Sequence, residues 1–238
     1  MKTAFSALLF LLFTLAVQGQ KIINDPNAQV REVKSFQGIS VSGGIDLYIS
    51  PGEEAVAVSA SKPEIANEIK TEVEDGILKI SFNTNKIRDI LKGINSKAKA
   101  YVSYRTLNSL SAVGGCNIHS DGTISGNFLK IDVTGGSNFN GKVDVKELKA
   151  ELTGGSDIKI NGSATKLDVR ATGGCDFKGY DLQADICDLS AVGASDIQLT
   201  ANKELSAKAT GASDIHYKGK PEVKEAKATG ASDIVHES

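Results

Sequence analysis

An acidic or amide side chain recurs at regular intervals through the second half of the chain. It is the fourth residue of a five-residue motif, Gly-Gly/Ala-Ser/Cys-Asp/Asn-Ile/Phe, that occurs seven times. These positions, separated by 21, 19, 19, 20, 18 and 19 residues, are Asn117, Asn138, Asp157, Asp176, Asp196, Asp214 and Asp233. If successive copies stack in register, their side chains form one column with neighbours about 4.8 Å apart.

Three kinds of chemistry fit such a column. Each side chain could accept hydrogen bonds from backbone N–H groups of its own turn, as in an Asx turn. Stacked carboxylates could instead bind Ca²⁺ or another hard cation, which prefers oxygen ligands. The candidate ligands are Asp157, Asp176, Asp196, Asp214 and Asp233. A neighbouring pair such as Asp176 and Asp196 could also provide the two carboxyl groups of a glycosidase.

Turn capping is the interpretation that we favour. The separation in a retaining glycosidase, about 5 Å between carboxyl groups, would arise here from stacking alone and therefore carries no information. Catalysis also needs two carboxyl groups with different pKa values, whereas identical turns provide identical surroundings. We therefore expect no catalytic residue, no cofactor and no bound metal, in a protein that is not an enzyme.

The remaining reactive side chains do not combine into a site either. His119 and His216 are five motif copies apart, which is too far for them to share a metal ion. The motif serines have no recurring histidine beside them to act as a base. Three cysteines are an odd number for an exported chain, so we expect buried structural thiols. Pairing of Cys175 with Cys187 is the alternative.

The segment before each motif copy alternates between apolar and polar residues. Leu129, Ile131 and Val133 precede the second copy, with polar residues between them, and later copies follow the same pattern. A period of two over six residues predicts a strand with one buried and one exposed face. The same order, an alternating segment followed by the motif, returns about every nineteen residues. This repeat favours parallel stacking of coils over antiparallel hairpins.

The sequence therefore predicts an all-β fold, a right-handed single-stranded parallel β-helix (solenoid) over residues 111–238. A chain that wraps around a narrow rod must bend sharply, and glycine permits the positive φ values of such bends. The expected turn residues are the first glycines of the motif copies: Gly114, Gly135, Gly154, Gly173, Gly193, Gly211 and Gly230.

Residues 20–110 are less regular, and we expect them to form the first coils and a cap at the N-terminal end. They contain one isolated motif copy, Gly43-Gly44-Ile45-Asp46-Leu47, whose acid lies 71 residues before Asn117. A short helix is predicted from Pro63, which suits a first helical turn, to about Val73. Residues 85–94 read as an insertion.

Residues 1–19 predict a secretory signal peptide, with one early cation followed by a short apolar run. Residues 20–238 hold no stretch of about twenty apolar residues, so we expect no transmembrane segment in the mature chain. That chain has 26 basic and 29 acidic residues, a formal net charge of −3. The near-neutral charge argues against a nucleic-acid partner, which requires a basic face.

The repeated motif, the signal peptide and an opening strand from Phe36 to Ile49 resemble the head GIN domain family of putative autotransporter adhesins. The resemblance extends over residues 36–236. It implies an exported β-solenoid protein of a Gram-negative bacterium, located in the periplasm, at the cell surface or outside the cell.

The leading functional hypothesis is an exported, non-enzymatic binding or adhesin-like module of the bacterial envelope. Its expected partner is an envelope or surface ligand, whether a glycan, a protein or a lipid. The strand edge of the last coil also predicts end-to-end homo-oligomers. Two alternatives stay open: a carbohydrate-active β-helix enzyme that uses stacked Asp residues, and a purely structural or lipid-associated envelope scaffold.

Overall fold

The structure of the chain is a computed structural model that describes residues 25–83 and 98–238. The predicted signal peptide and the predicted insertion at residues 85–94 lie outside the described residues. Within the two described ranges, no helix combines the length and the apolar character needed to cross a membrane.

The protein is a β-solenoid of about seven turns, with 75% of the described residues in strands and 2% in helix. The N-terminal elements are β1 (Gln29–Arg31), β2 (Gly38–Ser42), β3 (Ile45–Pro51), β4 (Ala55–Ala60), α1 (Pro63–Asn67), β5 (Ile69–Glu74), β6 (Ile77–Phe82), β7 (Ala98–Tyr104) and β8 (Ser109–Val113). The regular part consists of β9 (Asn117–Thr134), β10 (Asn138–Gly154), β11 (Asp157–Gly173), β12 (Asp176–Gly193), β13 (Asp196–Gly211), β14 (Asp214–Gly219), β15 (Glu222–Gly230) and β16 (Asp233–His236).

Each long strand pairs in parallel with the next one, and motif residues lie over the equivalent residues one coil away. Asn138 is aligned with Asn117 on one side and with Asp157 on the other. The same alignment continues along the column to Asp233. These parallel pairs confirm the predicted solenoid and exclude hairpins between the motif copies.

Each coil contributes strand segments to two faces that meet at the glycine turn. The residues before the turn form the pre-turn face, and those from the motif acid or amide onwards form the post-turn face. Alternate side chains on both faces are buried, such as Leu148 and Leu152 before a turn and Phe139 after one. Each buried Leu or Phe contributes about 1.5–3 kcal/mol, so stacked rows provide a core that a single coil lacks.

The N-terminal strands join the same two faces, but not in the order of the chain. On one side β3 pairs with β9, where Leu47 is aligned with Ile118. On its other side β3 pairs with β7, where Ile45 is aligned with Ala98. β2 likewise lies between β6 and β8. The coil made by β2 and β3 is therefore the direct neighbour of the regular series, although β4 to β7 intervene in the sequence.

Antiparallel strands close the N-terminal end. β4 pairs with β7 and β1 with β4, while β5 pairs with β6. These strands occupy edges that would otherwise present unpaired backbone groups. The helix α1 ends at Asn67, so its predicted extension to about Val73 is wrong. Val73 lies in β5 opposite Leu78, because pairing with β6 outweighs the local helix signal.

The C-terminal end has a smaller interior. The side chains at the core positions become smaller, from leucine and isoleucine in earlier coils to Ala207 and Ala209, which are still buried. The corresponding Ala226 and Ala228 in β15 are exposed, as are all nine residues of that strand. Among the described strands, β13 alone pairs with β15, so the other edge of β15 is uncovered there.

Candidate functional site

A column of buried hydroxyl and thiol groups holds the turns together. The third motif residue is buried in every copy: Cys116, Ser137, Ser156, Cys175, Ser195, Ser213 and Ser232. The Ser195 hydroxyl donates to the Gly173 carbonyl of the preceding coil at 3.0 Å and accepts the Cys175 N–H at 3.4 Å. The repeated motif predicted small residues at this position. It did not predict these hydrogen bonds, because they depend on how neighbouring coils are aligned.

The three cysteines are free and buried. Cys175 and Cys187 therefore do not form the disulfide that the sequence left open. Burial, with a smaller effect of the Asp185 charge, raises the pKa of Cys187 to about 12. A thiol that stays protonated is a poor nucleophile, so its place in the core is a packing role.

The acid and amide column begins one coil earlier than the regular motif series. The Asn117 side-chain amide donates to the Asp46 carboxylate at 2.8 Å. The Asn138 amide donates in turn to the Asn117 side-chain oxygen at 2.9 Å. The isolated N-terminal motif copy thus supplies the first member of the column, and its first three members are linked by hydrogen bonds.

The later part of the column consists of carboxylates at the surface. Asp157, Asp196 and Asp233 are exposed, whereas Asp176 and Asp214 are half-buried. The Lys178 ammonium lies 2.7 Å from the Asp176 carboxylate. That hydrogen bond, together with the charges of Asp176 and its neighbours in the column, raises the pKa of Lys178. One lysine therefore partly offsets the charge of several acids.

One hydrogen bond to these carboxylates differs from the bond within a single turn that turn capping predicts. The Asp233 N–H donates to the Asp214 carboxylate at 3.1 Å, which links one coil to the next rather than closing a turn on itself. In the described part of the chain, no group of three or more His, Cys, Asp and Glu side chains is arranged to hold a metal ion. The candidate cation ligands from Asp157 to Asp233 form a single row along the stacked coils, with one acid per coil.

An aromatic stack lies next to the start of this column. The rings of Tyr101, Tyr48 and His119 follow one another with centroids 5.4 and 5.2 Å apart. The Tyr101 hydroxyl donates to Asp25 at 2.9 Å. Burial and this hydrogen bond raise the pKa of Tyr101 to about 12. Because the ring faces are turned towards one another, the stack stabilises the pairing of β7, β3 and β9.

A shallow groove of about 420 Å³ crosses β9 to β13, midway between successive turns. We call it the corner groove. Its floor is formed by Gly126, Val145 and Ala164, which are aligned with one another in neighbouring strands. The volume lies within the range of about 300–1,000 Å³ typical of small-molecule sites.

Polar side chains form the two walls of the corner groove. Asp144, Ser163 and Gln183 follow one another along one wall, and Lys146, Thr165 and Asp185 lie along the other. The Ser163 hydroxyl donates to the Asp144 carboxylate at 2.8 Å. The Lys203 ammonium, 2.9 Å from the Asp185 carboxylate, lowers the pKa of Asp185.

Sequence reasoning missed the corner groove because it contains no motif residue. The sequence feature that could have indicated the groove is a row of small residues in neighbouring strands. Ala164 is aligned with Ala184, and Ala184 with Ala201. Such a coincidence appears only when the strand register is known, since the distance between successive members varies from coil to coil.

Comparison with solved structures gives the same architecture. The chain is similar to a protein from Bacteroides fragilis titled a putative adhesin, with 22% identity, 88% of this chain and 96% of that chain covered, and a TM-score of 0.78. A Parabacteroides distasonis protein titled a putative lipid binding protein has 20% identity, coverage of 90% and 98%, and a TM-score of 0.66. A putative adhesin from Parabacteroides merdae has 16% identity, coverage of 89% and 95%, and a TM-score of 0.62.

Comparison by sequence identifies the family. No curated protein matches the chain. The profile of the family described as "Putative auto-transporter adhesin, head GIN domain" matches residues 35–221, which include the capping strands β4 and β5 and all of β9 to β13. The chain therefore belongs to the head GIN domain family of putative auto-transporter adhesins.

Proposed function

We propose that this protein is a non-enzymatic, adhesin-like binding module of the bacterial envelope. The observation that carries the proposal is the corner groove, which crosses five strands and so extends roughly 19 Å along the solenoid axis at about 4.8 Å per coil. A groove along the axis suits an extended partner that contacts several coils at once. Family membership and the neighbouring adhesin structures support the same function.

The carboxylates of the groove favour binding over catalysis. A general acid needs a pKa raised towards the working pH, whereas Lys203 lowers that of Asp185. Asp144 already accepts a hydrogen bond from Ser163. Both side chains are therefore suited to accept hydrogen bonds from a ligand, and Asp185 is not suited to donate a proton to one.

The polar walls also weigh against a lipid tail as the ligand, although one structural neighbour is titled a putative lipid binding protein. Apolar chains bind in pockets that remove them from water. In the corner groove, Asp144, Gln183 and Asp185 are present where a lipid tail would need apolar side chains.

The proposal is tested by retention of purified residues 20–238 on immobilised envelope fractions. We expect saturable retention, weakened by Thr165→Trp, which fills the groove from an exposed position. Thr172→Trp, at an exposed position of the pre-turn face, is the matched control. Absence of retention on every fraction, together with activity in a hydrolase screen, would reject the binding module in favour of an enzyme.

Export is part of the proposal. Cleavage after Gly19 would release a mature chain that starts at Gln20 in the periplasm or at the cell surface. N-terminal mass spectrometry of the protein recovered from the envelope is expected to find Gln20. Recovery of the uncleaved chain from the cytoplasm would contradict export.

We also propose that β15 pairs with a strand of a second copy. All nine residues of β15 are exposed, and the side chain of Val223 is 44% exposed. An uncovered edge of this kind is a template for further strand pairing. Light scattering should detect a concentration-dependent dimer that Ala228→Lys abolishes, since a charge on the core side of the edge opposes pairing. A strict monomer at high concentration would contradict it.

A further inference from the structure

We infer that the corner groove binds a linear, uncharged glycan whose chain runs along the solenoid axis. This inference rests on the proposed binding function and assigns a ligand class to its site. Four properties of the groove support it: the shape of its floor, the polar groups of its walls, the charge of its lining and the recurrence of wall residues in each coil.

The floor is narrow and free of bulky side chains. Gly126 lacks a side chain, while Val145 and Ala164 are 6% and 5% exposed and belong to the core beneath the groove. A sugar ring presents C–H groups on its faces and hydroxyls around its rim. Such a ring can lie over this flat floor and keep its hydroxyls free, whereas bulky floor residues would hold it away from the walls.

The walls supply both donors and acceptors at the height of the rim. Ser163 and Thr165 carry hydroxyls, Gln183 carries an amide, and Asp144 and Asp185 carry carboxylates. A sugar hydroxyl both donates and accepts hydrogen bonds, so it can be satisfied by each of these groups. A ligand with many hydroxyls therefore finds a partner in each of these groups.

The charge of the lining suits an uncharged polymer. Lys146 and Lys203, the latter 2.9 Å from Asp185, offset the charges of Asp144 and Asp185, so the lining is close to neutral and offers no net attraction to a polymer of either charge. A neutral chain of hexose units needs no such attraction and still uses the carboxylates as acceptors.

The repeat of the walls fits a polymer better than a single sugar. Equivalent wall positions recur once per coil, as Asp144, Ser163 and Gln183 do in β10, β11 and β12. The spacing is about 4.8 Å. Successive sugars of a chain along the axis can therefore each meet a polar wall side chain, so affinity should rise with chain length.

The test is binding of residues 20–238 to a panel of linear neutral hexasaccharides and their parent monosaccharides. We expect at least one hexasaccharide to bind at least tenfold more tightly than its monosaccharide. The double variant Ser163→Ala/Gln183→Ala should lose at least tenfold in affinity. Thr153→Ala/Thr172→Ala, which removes two exposed hydroxyls from the pre-turn face, should bind as the unaltered protein does.

Two outcomes would overturn the inference: no hexasaccharide binds, or the groove variant binds as well as the control. Two treatments of the envelope fraction separate this failure from failure of the proposed function: periodate, which cleaves vicinal diols, and endoglycanases, which cut the 1,3-linked chains that lack internal vicinal diols. Loss of retention after either treatment supports a glycan. Retention that survives both keeps the binding module and rejects the glycan, and a fraction that never retains the protein rejects both.

Discussion

The turns of the first coils and those of the later coils share a motif but differ in backbone conformation. In Gly43-Gly44, Gly114-Gly115 and Gly135-Gly136, both residues have positive φ values between 68° and 83°. From Gly154 onwards only the first residue does, at 89° to 110°. We call the two groups the early turns and the late turns.

The hydrogen bonds of the two groups run in opposite directions along the solenoid. In an early turn, the Gly115 N–H donates forwards to the Gly135 carbonyl of the next coil at 3.1 Å. In a late turn, the Ala194 N–H donates backwards to the Gly173 carbonyl of the preceding coil at 2.7 Å. The direction changes between Gly135, which still donates forwards to Thr153, and Gly174, which donates backwards to Gly154.

This difference explains where alanine replaces the second glycine. Ala194, Ala212 and Ala231 all lie in late turns, where the second residue has left the left-handed region. Gly155 and Gly174 share that conformation although they are glycines. One sequence motif thus supports two turn geometries, and alanine replaces glycine at the second position only in the late turns.

The largest expected effect comes from the first glycine of a late turn. A Cβ added at Gly173, where φ is 110°, would lie 2.5 Å from the Gly154 carbonyl oxygen. Strain and the backbone clash together should lower the free energy of unfolding of Gly173→Ala by about 3 kcal/mol or more. Urea denaturation measures the change.

Gly174→Ala is the matched control for that variant. Its φ lies outside the left-handed region, and an added Cβ would come no closer than 3.9 Å to the Gly154 oxygen. Its stability should stay within about 0.5 kcal/mol of the unaltered protein. Equal losses in Gly173→Ala and Gly174→Ala would refute the distinction between the two positions.

The next largest effect is expected at the buried serine hydroxyls, which the early and the late turns share. Ser195 in a late turn and Ser137 in an early turn each donate to a backbone carbonyl and accept an N–H from the preceding coil. Removing either hydroxyl leaves the buried N–H of Cys175 or Cys116 without its acceptor, which costs about 1–3 kcal/mol, while the carbonyls keep their backbone donors. Thermal unfolding of Ser195→Ala and Ser137→Ala should give similar losses.

Cysteine at the same position separates this loss from a change of volume. Cys175 and Cys116 already occupy the column, and the Cys175 thiol lies 3.4 Å from the Thr172 carbonyl oxygen. Ser195→Cys should therefore keep most of the stability that Ser195→Ala loses. If the alanine and cysteine variants were equally destabilised, the hydrogen bond would not be the cause.

The regular coils could be predicted from the sequence because their information is local and repeated. The alternation around Leu129 and the return of the motif acid specify strands, polarity and register together. The N-terminal strand order could not be predicted, since the pairing of Leu47 with Ile118 joins residues far apart in the chain. The corner groove was missed for the same reason: Gly126 and Ala164 become neighbours of Val145 only through coil register.

A smaller effect is expected at the second glycine of an early turn. Gly115 has a φ of 78°, and a Cβ there would meet no atom within 4 Å. Gly115→Ala therefore carries the cost of left-handed backbone without a clash, about 1–2 kcal/mol. Gly115→Asn should lose less, because asparagine tolerates this region better. A neutral Gly115→Ala would indicate that early and late turns do not differ in solution.

A loss of stability of similar size is expected for a substitution in the acid and amide column. Asn117 links Asp46 and Asn138 through its amide at 2.8 and 2.9 Å. Asn117→Asp replaces the donated bond with a second carboxylate beside Asp46, which should cost about 1 kcal/mol at water-like screening. The loss should shrink in high salt, measured by urea denaturation at two ionic strengths. A loss that is independent of salt would point to packing instead.

The smallest effect is expected where the column is already acidic. Asp196 is exposed and lies between Asp176 and Asp214 in neighbouring coils. Asp196→Asn removes repulsion from both sides and adds an amide donor, as in the early part of the column, but it also removes the attraction of Asp196 for Lys178. Stability should therefore rise by only about 0.3–0.5 kcal/mol at low salt. A chelator should leave the melting temperature of the unaltered protein unchanged, because the acids there form one row and not a cage. If instead chelation lowered that temperature by roughly ten degrees and Asp196→Asn removed the response, a bound cation would have been relieving the repulsion.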